Sequence, residues 1–592
     1  MSDYRNPQLT PAARAADLID RMTTAEKIAQ MTQVEKNSIQ SGDIAALGIG
    51  SILSGGGGNP TPNTPAAWAE MVHSFQEEGL RSRLGIPLLY GVDAVHGHNN
   101  VRGATIFPHA ISLGAAGDAE LARRVARATA LETAATGVRW NFAPMVSVVQ
   151  DIRWGRTYES SGDDTAAVTE LTRAYLQGLQ DAGDGLGLAS SRAVLATPKH
   201  YLGDGATLWG TSKMEMLGVR FHIDQGDMRV DEATLRRLYL PPYAAAVEDG
   251  ALCVMPSFSI WNGQKMHAHH YLLTEVLKGE LGFRGFLVSD WQAVDQLDPD
   301  FHTAVATAIN AGLDMNMVPY DYQRFMAALT ELVERGDVPM ARIDDAVSRI
   351  LTVKFEMGLF ERPFGDPADL SLVGAAEHRA LAREAAARGV VLLRNEDGAL
   401  PIDDAARTVY VAGEAAGDIG LQCGGWTIKW QGEDGPITEG TTLIEGIRAA
   451  AGPETRVVYA PDGGFDDDNA SPQTADVGIV FIHERPYAEG LGDREDLNLT
   501  AEQVALIERV GARSRKLVVV LITGRPLILT EHLPLAGAWV AAWWPGSEGD
   551  AVADVLFGRR PFTGRLPLDW PLSMDAIPDG DVLFPRGHGL VS

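Results

Sequence analysis

Short apolar segments alternate with helical segments over about 300 residues in the first half of this 592-residue chain. Repeated strand–helix units of this kind predict parallel strands, because each helix returns the chain to the same end of the sheet. We therefore predict an α/β fold, a (β/α)8 barrel of the triosephosphate isomerase (TIM) type, with a doubly wound sheet as the alternative. The clearest predicted strands begin at Ile86, Val138, Ala193, Leu252, Gly285 and Leu313.

The predicted strands end in polar, charged or aromatic residues. In a parallel barrel the carboxyl ends of the strands meet on one face, where such enzymes carry their active sites. Helix caps can account for one or two polar strand ends, but a succession of them is hard to explain by capping alone. We therefore expect one pocket to collect Asp93, Arg153, Arg156, Lys199, His200, Met255, Phe258, Asp290 and Trp291.

Asp290 is the leading candidate for a catalytic residue. It ends the apolar stretch GFLVSDW, residues 285–291, so that a strand with β character runs directly into a carboxylate and an indole. For an isolated strand, an N-cap of the following helix would be the commoner role of such an Asp. The other polar strand ends favour catalysis instead.

A second domain follows the barrel, because a chain of this length exceeds what one hydrophobic core supports. We predict a barrel domain over residues 1–360, a linker rich in Pro and Asp over 361–376, and a second α/β domain over 377–592. The second domain is predicted to begin with a helix over HRALAREAAARGVVLLRN. Its strands are predicted to begin at Thr408, Arg456, Val477, Lys516 and Ala538.

Charge and hydropathy limit the partners. The net charge of -28 argues against nucleic acid and anionic membrane surfaces, which require basic patches. The N-terminal segment has no signal-peptide core, and the apolar run over 535–544 is about half the roughly 20 residues that span a bilayer. We expect a soluble monomer or homodimer, cytoplasmic or periplasmic. The two cysteines, Cys253 and Cys423, are too few for a disulfide framework.

Common cofactor and metal motifs are absent from the sequence. It has no HExxH, paired CxxC or EF-hand loop, no GxGxxG after the first strand and no GxSxG. His96 and His98 could chelate a metal, but a structural role is the commoner one. We predict no metal and no cofactor. The remaining carboxylates, cationic groups and indoles suit a sugar site, where polar groups bind hydroxyls and aromatic faces cover C–H patches.

Seven segments, in chain order, resemble those of glycoside hydrolase family 3. They are GVDAVHGHNNVRGATIFPH, RWGRTYES, KHYLGDG, VSDWQAVD, QCGGWTIKWQG, ERPYAEGLGD and TGRPLIL. The resemblance covers nearly the whole chain and implies a barrel followed by an α/β sandwich. It also implies a retaining, exo-acting β-glucosidase or β-glucan exohydrolase that releases glucose from the non-reducing end. A β-xylosidase or β-N-acetylhexosaminidase of the same family, or a carbohydrate-binding protein without catalysis, remain the alternatives.

The resemblance also assigns roles to residues. It makes Asp290 the nucleophile and Glu489, from the second domain, the acid/base, at the separation of about 5 to 5.5 Å that retention requires. We expect a raised pKa for Glu489 and a lowered pKa for Asp290, through Lys199 or Arg156 nearby. The residues expected to bind a β-glucoside or oligosaccharide are Asp93, Arg156, Lys199, His200, Met255, Phe258, Trp291 and Trp430, the two indoles forming a slot for the second sugar.

The chain departs from its relatives at a few positions. Phe258 stands where plant members carry Tyr, and Gln292 and Gln296 replace an acid and an Arg, which puts the aglycone side in doubt. The segment after Lys199 lacks the Asp-x-His of the family's hexosaminidases, which weakens that alternative. Trp426 is predicted to be a packing residue. Glu484 and Tyr487 are predicted to support the acid/base loop.

Overall fold

The computed structural model describes residues 3–396, 398–465 and 474–591. In the first region, from residue 3 to the end of the helix Met340–Glu356, strands pair in parallel around a closed ring, so the (β/α)8 barrel is confirmed and the doubly wound alternative is wrong. A parallel bridge between Val288 and Met315 joins the last two strands, and the last strand pairs with the first. The ring consists of Thr32–Glu35, Ser51–Ser54, Leu89–Val92, Trp140–Asn141, Leu195–Ala196 with Lys199–Tyr201, Cys253–Pro256, Phe286–Leu287 and Asn316–Met317.

Two barrel strands, Thr32–Glu35 and Ser51–Ser54, are absent from the predicted set. Each strand has four residues that mix polar and apolar side chains, so neither strand contains an extended apolar run. All eight residues are buried in the barrel, so tertiary packing rather than local pattern specifies them.

Helices connect the barrel strands on the outside. Most of them begin with a side-chain N-cap, such as the capping box of Thr23 with Glu26. The helices of seven or more residues in this region are Pro11–Ile19, Thr24–Gln30, Pro65–Leu80, Ala110–Ala116, Ala119–Ala135, Thr165–Gln180, Pro241–Glu248, Tyr271–Glu280, Phe301–Ala311, Tyr322–Arg335 and Met340–Glu356.

The second region, from the helix Ala376–Gly389 onward, contains a six-stranded mixed sheet. Its five predicted strands are present and mutually parallel, in the spatial order Ala538–Ala541, Ser514–Ile522, Ala475–His483, Thr408–Ala412 and Arg456–Tyr459. The accompanying helices are Ala376–Gly389, Ile419–Cys423, Leu443–Ala450, Ala501–Gly511 and Asp550–Leu556.

The predicted helix over 378–395 is wrong in its last part. The helix ends at Gly389, and Val391–Asn395 forms the sixth strand, antiparallel to Ala538–Ala541 at the edge of the sheet. Gly389 packs so closely on Ser112 of the barrel region that an added Cβ would lie 2.0 Å from its Oγ. A β-branched pair, Val390 and Val391, then favours the extended strand.

The connection over 361–376 includes a short 3-10 helix, Pro367–Leu372, tied to the barrel by an ion pair of 2.7 Å between Arg192 and Asp369. The domain bounds 1–360, 361–376 and 377–592 stay a prediction. Cys253 and Cys423 are both buried and free. Among the described residues, no helix combines the length and apolarity needed to cross a bilayer.

Candidate active site

A cavity of about 810 Å³ lies at the carboxyl ends of the barrel strands. Every residue predicted to be catalytic or to bind substrate lines it. Barrel strand ends and the loops that follow them supply most of these residues, and the second region supplies two. They are Asp93, Arg156, Lys199, His200, Met255, Phe258, Asp290 and Trp291 from the barrel, and Trp430 and Glu489 from the second region. The expectation that Arg153 also lies in the pocket is wrong, because its guanidinium pairs with Asp151 at 2.6 Å and lies over the Trp209 ring instead.

Hydrogen bonds with Trp291 and His267 hold Asp290 in place. It follows the strand Phe286–Leu287, and its Oδ1 accepts a hydrogen bond of 2.6 Å from the backbone N–H of Trp291. The Asp290 N–H donates to Nε2 of His267 at 3.0 Å. The other carboxylate oxygen, Oδ2, is buried without a hydrogen-bond partner among the described residues and lies 3.6 Å from Nε2 of His200. One oxygen is thus held by a hydrogen bond, and the other has no hydrogen-bond partner in the described part of the chain.

Glu489 begins the short 3-10 turn Glu489–Gly492. Its Oε1 accepts a hydrogen bond of 3.4 Å from Arg156, whose guanidinium also donates to both carboxylate oxygens of Glu159, at 2.8 and 2.9 Å. Burial raises the pKa of Glu489 to about 7, with a further rise from Asp290 and an opposing effect of Arg156. Glu489 is therefore protonated over much of the neutral range.

The expected lowering of the Asp290 pKa is wrong in direction. Burial raises the pKa of Asp290 above its ordinary value, and this effect exceeds the opposing influences of His200, the Trp291 N–H, Lys199 and Arg156. A carboxyl group that is shielded from water is harder to ionise, even where cations surround it. The charge of Asp290 in turn contributes to the raised pKa of Glu489.

Polar side chains beside Asp290 are pre-oriented by one another. Nζ of Lys199 donates to Oδ1 of Asp93 at 2.7 Å. Nδ1 of His200 lies 2.6 Å from Oδ2 of Asp204, which turns the opposite ring nitrogen toward Asp290. Such mutual orientation reduces the entropy lost when a sugar binds.

Two tryptophans flank the outer part of the cavity. The ring of Trp291 stands edge-on to Tyr320, with centroids 5.7 Å apart. A Cβ added to Gly55 would lie 3.0 Å from the Trp291 ring, and one added to Gly56 would lie 2.7 Å from Cα of Trp430. The glycine-rich segment therefore contacts both tryptophans, and larger residues there would displace them.

The loop before Glu489 is fixed by a buried ion pair. Glu484 follows the strand Ala475–His483 and accepts hydrogen bonds from the Tyr487 hydroxyl at 3.0 Å and from Nε of Arg525 at 3.1 Å. Arg525 is fully buried and also donates to the backbone of the barrel at Arg153, at 2.9 Å. Glu484 and Tyr487 thus contact the loop as supporting residues.

Three positions at which the resemblance suggested departures from relatives line the cavity. These are Phe258, Gln292 and Gln296. Nζ of Lys265 links two of them, since it donates to the Phe258 carbonyl at 2.8 Å and to Oε1 of Gln296 at 3.0 Å. Burial lowers the pKa of Lys265 to about 8.

Several lining residues have no counterpart among the predicted ones. Met214 and Met216 lie at the start of a hairpin formed by Glu215–Met216 and Val219–Arg220. This hairpin is part of the long segment between the barrel strands Lys199–Tyr201 and Cys253–Pro256. Such an insertion has no signature that would place it over the pocket. They also include Glu35, Gln225, Tyr320 and Trp426.

Trp426 both packs and lines the cavity. It is 5 % exposed and belongs to the core of the second region, as predicted, but its ring also faces Arg156 and Lys199, at 5.9 and 5.6 Å from the centroid. It lies in the same QCGGWTIKWQG segment as Trp430, which is the signal that could have identified it.

Backbone strain concentrates at the cavity. Four lining residues other than glycine have positive φ angles, a conformation that costs roughly 1 kcal/mol or more for residues with a Cβ. They are Gln225 (59°), Gln292 (51°), Trp426 (62°) and Glu489 (57°).

His96 and His98 are buried, and each ring lies close to an oxygen atom of the protein. Nδ1 of His96 lies 2.9 Å from the Phe107 carbonyl, and Nε2 of His98 lies 2.9 Å from the Thr136 hydroxyl. In the described part of the chain, no group of three or more His, Cys, Asp and Glu side chains is arranged to hold a metal ion.

Comparison with known proteins gives matches over nearly the whole chain. The model of the glycosyl hydrolase family 3 N-terminal domain matches residues 23–353, and that of the C-terminal domain matches residues 390–591. A lysosomal beta glucosidase of Dictyostelium discoideum is 33% identical over 97% of this chain and 73% of its own length. A periplasmic beta-glucosidase of Salmonella typhimurium is 31% identical over 97% of this chain and 76% of its own length.

A solved structure is similar in its whole architecture. The exo-1,3/1,4-beta-glucanase ExoP of a Pseudoalteromonas species is 36% identical, with a TM-score of 0.90 over 100% of this chain and 76% of that chain. A protein named beta-xylosidase, from Formosa agariphila, also matches, at 29% identity over 87% of this chain and 76% of its own length.

Proposed function

The chain belongs to glycosyl hydrolase family 3 and is a glycoside hydrolase of the β-glucosidase and exo-β-glucanase type, and we propose that Asp290 and Glu489 catalyse its reaction. The observation that carries this proposal is the pair of carboxyl groups in one cavity. One comes from a barrel strand and keeps an unpaired oxygen, and the other comes from the second region with a pKa of about 7.

The reaction proceeds by double displacement. Oδ2 of Asp290 attacks the anomeric carbon while the bond to the leaving oxygen breaks, and Glu489 donates its proton to that oxygen. A covalent glucosyl ester on Asp290 results. Glu489, now ionised, then takes a proton from water, whose oxygen attacks the anomeric carbon and displaces Asp290. Two inversions leave glucose in its original β configuration.

The polar end of the cavity binds the terminal glucose. Asp93, paired with Lys199, accepts hydrogen bonds from two adjacent hydroxyls, and Arg156 and His200 bind the others. Ion pairs and hydrogen bonds align these groups before substrate arrives, which suits them to hold one terminal sugar unit at a low entropic cost. This arrangement supports exo action.

Trp291 and Trp430 hold the second sugar as a slot. Stacking on an indole is less directional than a hydrogen bond, so such a slot accepts more than one linkage. ExoP, as named, acts on both 1,3 and 1,4 linkages. We infer the same tolerance here, with laminaribiose and cellobiose as substrates. A neutral sugar is not repelled by the net charge of -28.

The alternatives find less support. The β-xylosidase alternative rests on more distant relatives, the first of them 29% identical. The hexosaminidase alternative lacks the Asp-x-His after Lys199. A carbohydrate-binding protein without catalysis would not require two carboxyl groups in the pocket. A monomer or homodimer, in the cytoplasm or periplasm, stays a prediction.

Comparing three substrates tests this function. The purified protein should hydrolyse 4-nitrophenyl β-glucoside with a higher kcat/KM than the corresponding β-xyloside and N-acetyl-β-glucosaminide. A higher value for the xyloside or the acetamido sugar would overturn the glucosidase assignment. No turnover of any of the three would overturn the enzymatic one.

The pH dependence of kcat/KM should be bell-shaped. Glu489 must be protonated to act as acid, so kcat/KM should fall as pH rises through about 7. Asp290 must be ionised to attack, so kcat/KM should also fall as pH drops through its raised pKa, above the ordinary 3.8. Initial rates at low substrate between about pH 4 and pH 9 measure both limbs. A constant kcat/KM across neutral pH would contradict the role of Glu489.

A further inference from the structure

The turn that carries Glu489 is fastened to the barrel by the carboxylate of Asp493. We propose that Asp493 is a positioning residue. It fixes the position of Glu489 in the cavity wall by clamping its turn, through hydrogen bonds, to two barrel segments. The inference rests on the proposed role of Glu489 as acid/base, but it concerns a group that does not face the pocket.

The clamp consists of four hydrogen bonds from backbone N–H groups. Oδ2 of Asp493 accepts from His222, Ile223 and Asp224, at 2.9, 2.8 and 3.0 Å. Oδ1 accepts from Gly155 at 2.9 Å. All four donors belong to the barrel region, more than 260 residues before Asp493 in the sequence. A single carboxylate therefore joins the second region to two separate barrel loops.

The same two loops touch the turn itself. A Cβ added to Gly155 would lie 1.9 Å from the carbonyl oxygen of Glu489, and one added to Gly490 would lie 2.2 Å from the ring of Phe221. Glycine at both positions is what allows this approach. The turn is thus packed between the loops, and Asp493 holds it there.

Arg156 links the position of the turn to the proposed acid/base group. It follows Gly155 directly, and its guanidinium donates to Oε1 of Glu489 at 3.4 Å. Anchoring Gly155 to Asp493 therefore fixes the donor and the acceptor of this bond together. Because general acid catalysis requires the proton within hydrogen-bond reach of the leaving oxygen, a shift of about 1 Å in the turn is enough to impair it.

Only a carboxylate can make this clamp. An amide has one oxygen, so Asn at position 493 would leave an NH2 group facing either the Gly155 N–H or the three N–H groups on the other side. A partly buried donor that faces another donor loses its hydrogen bond, and water replaces that bond only incompletely. Asp493→Asn should therefore release one of the two loops, while the charge-neutral side chain keeps nearly the same volume.

The decisive readout is the dependence on the leaving group. For Asp493→Asn, kcat/KM for laminaribiose, whose sugar leaving group needs protonation, should fall by about 10²-fold or more. For 2,4-dinitrophenyl β-glucoside, whose phenolate leaves without a proton, it should fall by less than about tenfold, because kcat/KM reports the first irreversible step. A variant that has merely lost stability would lose both activities equally, and equal losses would overturn the proposal, as would unchanged kcat/KM for laminaribiose.

Two further variants complete the test. Asp496→Asn changes an exposed Asp on the same loop and should leave both kcat/KM values within about twofold of the parent protein. Asp493→Glu keeps both oxygens and should restore part of the laminaribiose activity. If Asp493→Asn does not fold, Asp493→Glu decides by the same criterion, since its residual loss must again fall on laminaribiose rather than on the dinitrophenyl glucoside.

Failure of this proposal is distinct from failure of the proposed function. If the parent protein hydrolyses no β-glucoside, the function itself is wrong. If Glu489→Ala shows the leaving-group pattern and neither Asp493 variant does, only the positioning role of Asp493 is wrong.

Discussion

Replacing Asp290 with Asn should lower kcat/KM for 4-nitrophenyl β-glucoside by about 10⁴-fold or more. Removal of a nucleophile eliminates the covalent route. In other enzymes, losing the nucleophile lowers kcat about as much as removing the whole set of catalytic residues. Asn has nearly the same shape and can still accept the Trp291 N–H hydrogen bond with Oδ1, but its Nδ2 takes the place of the free Oδ2. Steady-state rates, with the melting temperature as a check on folding, measure the effect.

Asp300→Asn is the matched control. Asp300 is exposed and caps the helix Phe301–Ala311, where Asn is as good a cap as Asp. We expect this variant to keep kcat/KM within about twofold. Retention of more than about 1 % of the activity by a pure, folded Asp290→Asn protein would mean that another group is the nucleophile.

Replacing Glu489 with Ala should produce the second largest effect, and one that an added nucleophile can repair. Activity on laminaribiose should fall by about 10² to 10⁴-fold, the range that general acid–base catalysis contributes. With 2,4-dinitrophenyl β-glucoside the glucosyl ester on Asp290 still forms but water attacks it slowly without a base. Sodium azide, which needs no base, should then raise kcat and give β-glucosyl azide as product, detectable by mass spectrometry.

The control for this variant is Glu495→Ala, at an exposed position on the same loop. It should neither lose activity nor respond to azide. If azide fails to accelerate Glu489→Ala, or if Glu495→Ala shows the azide response instead, the acid/base role belongs elsewhere. Loss of the alkaline limb of the pH profile in Glu489→Gln would add an independent observation, because the pKa of about 7 belongs to this carboxyl group.

The barrel half of the cavity could be predicted from the pattern of the sequence. A parallel barrel places every strand end on one face, so Asp93, Lys199 and Asp290 converge once the strands are recognised. Recognition needed only short apolar runs that stop at polar residues. The prediction that these side chains lie close together needed no distances, because the topology of the barrel places all the strand ends on one face.

The half of the cavity that comes from the second region could not be derived in this way. Glu489 and Trp430 lie on loops, and nothing in their local sequence says that those loops pack over the barrel. Only the resemblance to a family assigned them. The contacts responsible are long-range ones, such as the four hydrogen bonds of Asp493, which no periodic pattern encodes.

The errors have physical causes of the same kind. Thr32–Glu35 and Ser51–Ser54 are too short and too polar to be recognised as strands, but the closed ring buries them. The strand Val391–Asn395 follows an Ala-rich helix without a Pro, so the apolar run looks like its continuation. The direction of the Asp290 pKa depends on burial, which a list of nearby cations does not reveal.

Labelling with a slow substrate tests the role of Asp290 most directly. A 2-deoxy-2-fluoro-β-glucosyl fluoride has a good leaving group and a substituent that slows attack by water, so the covalent intermediate accumulates. After digestion, mass spectrometry should find one fluoroglucosyl group per chain, on the peptide that contains GFLVSDW and at Asp290. A label on a different carboxylate, or rapid turnover of β-glucosides by a protein that never acquires the label, would contradict the mechanism.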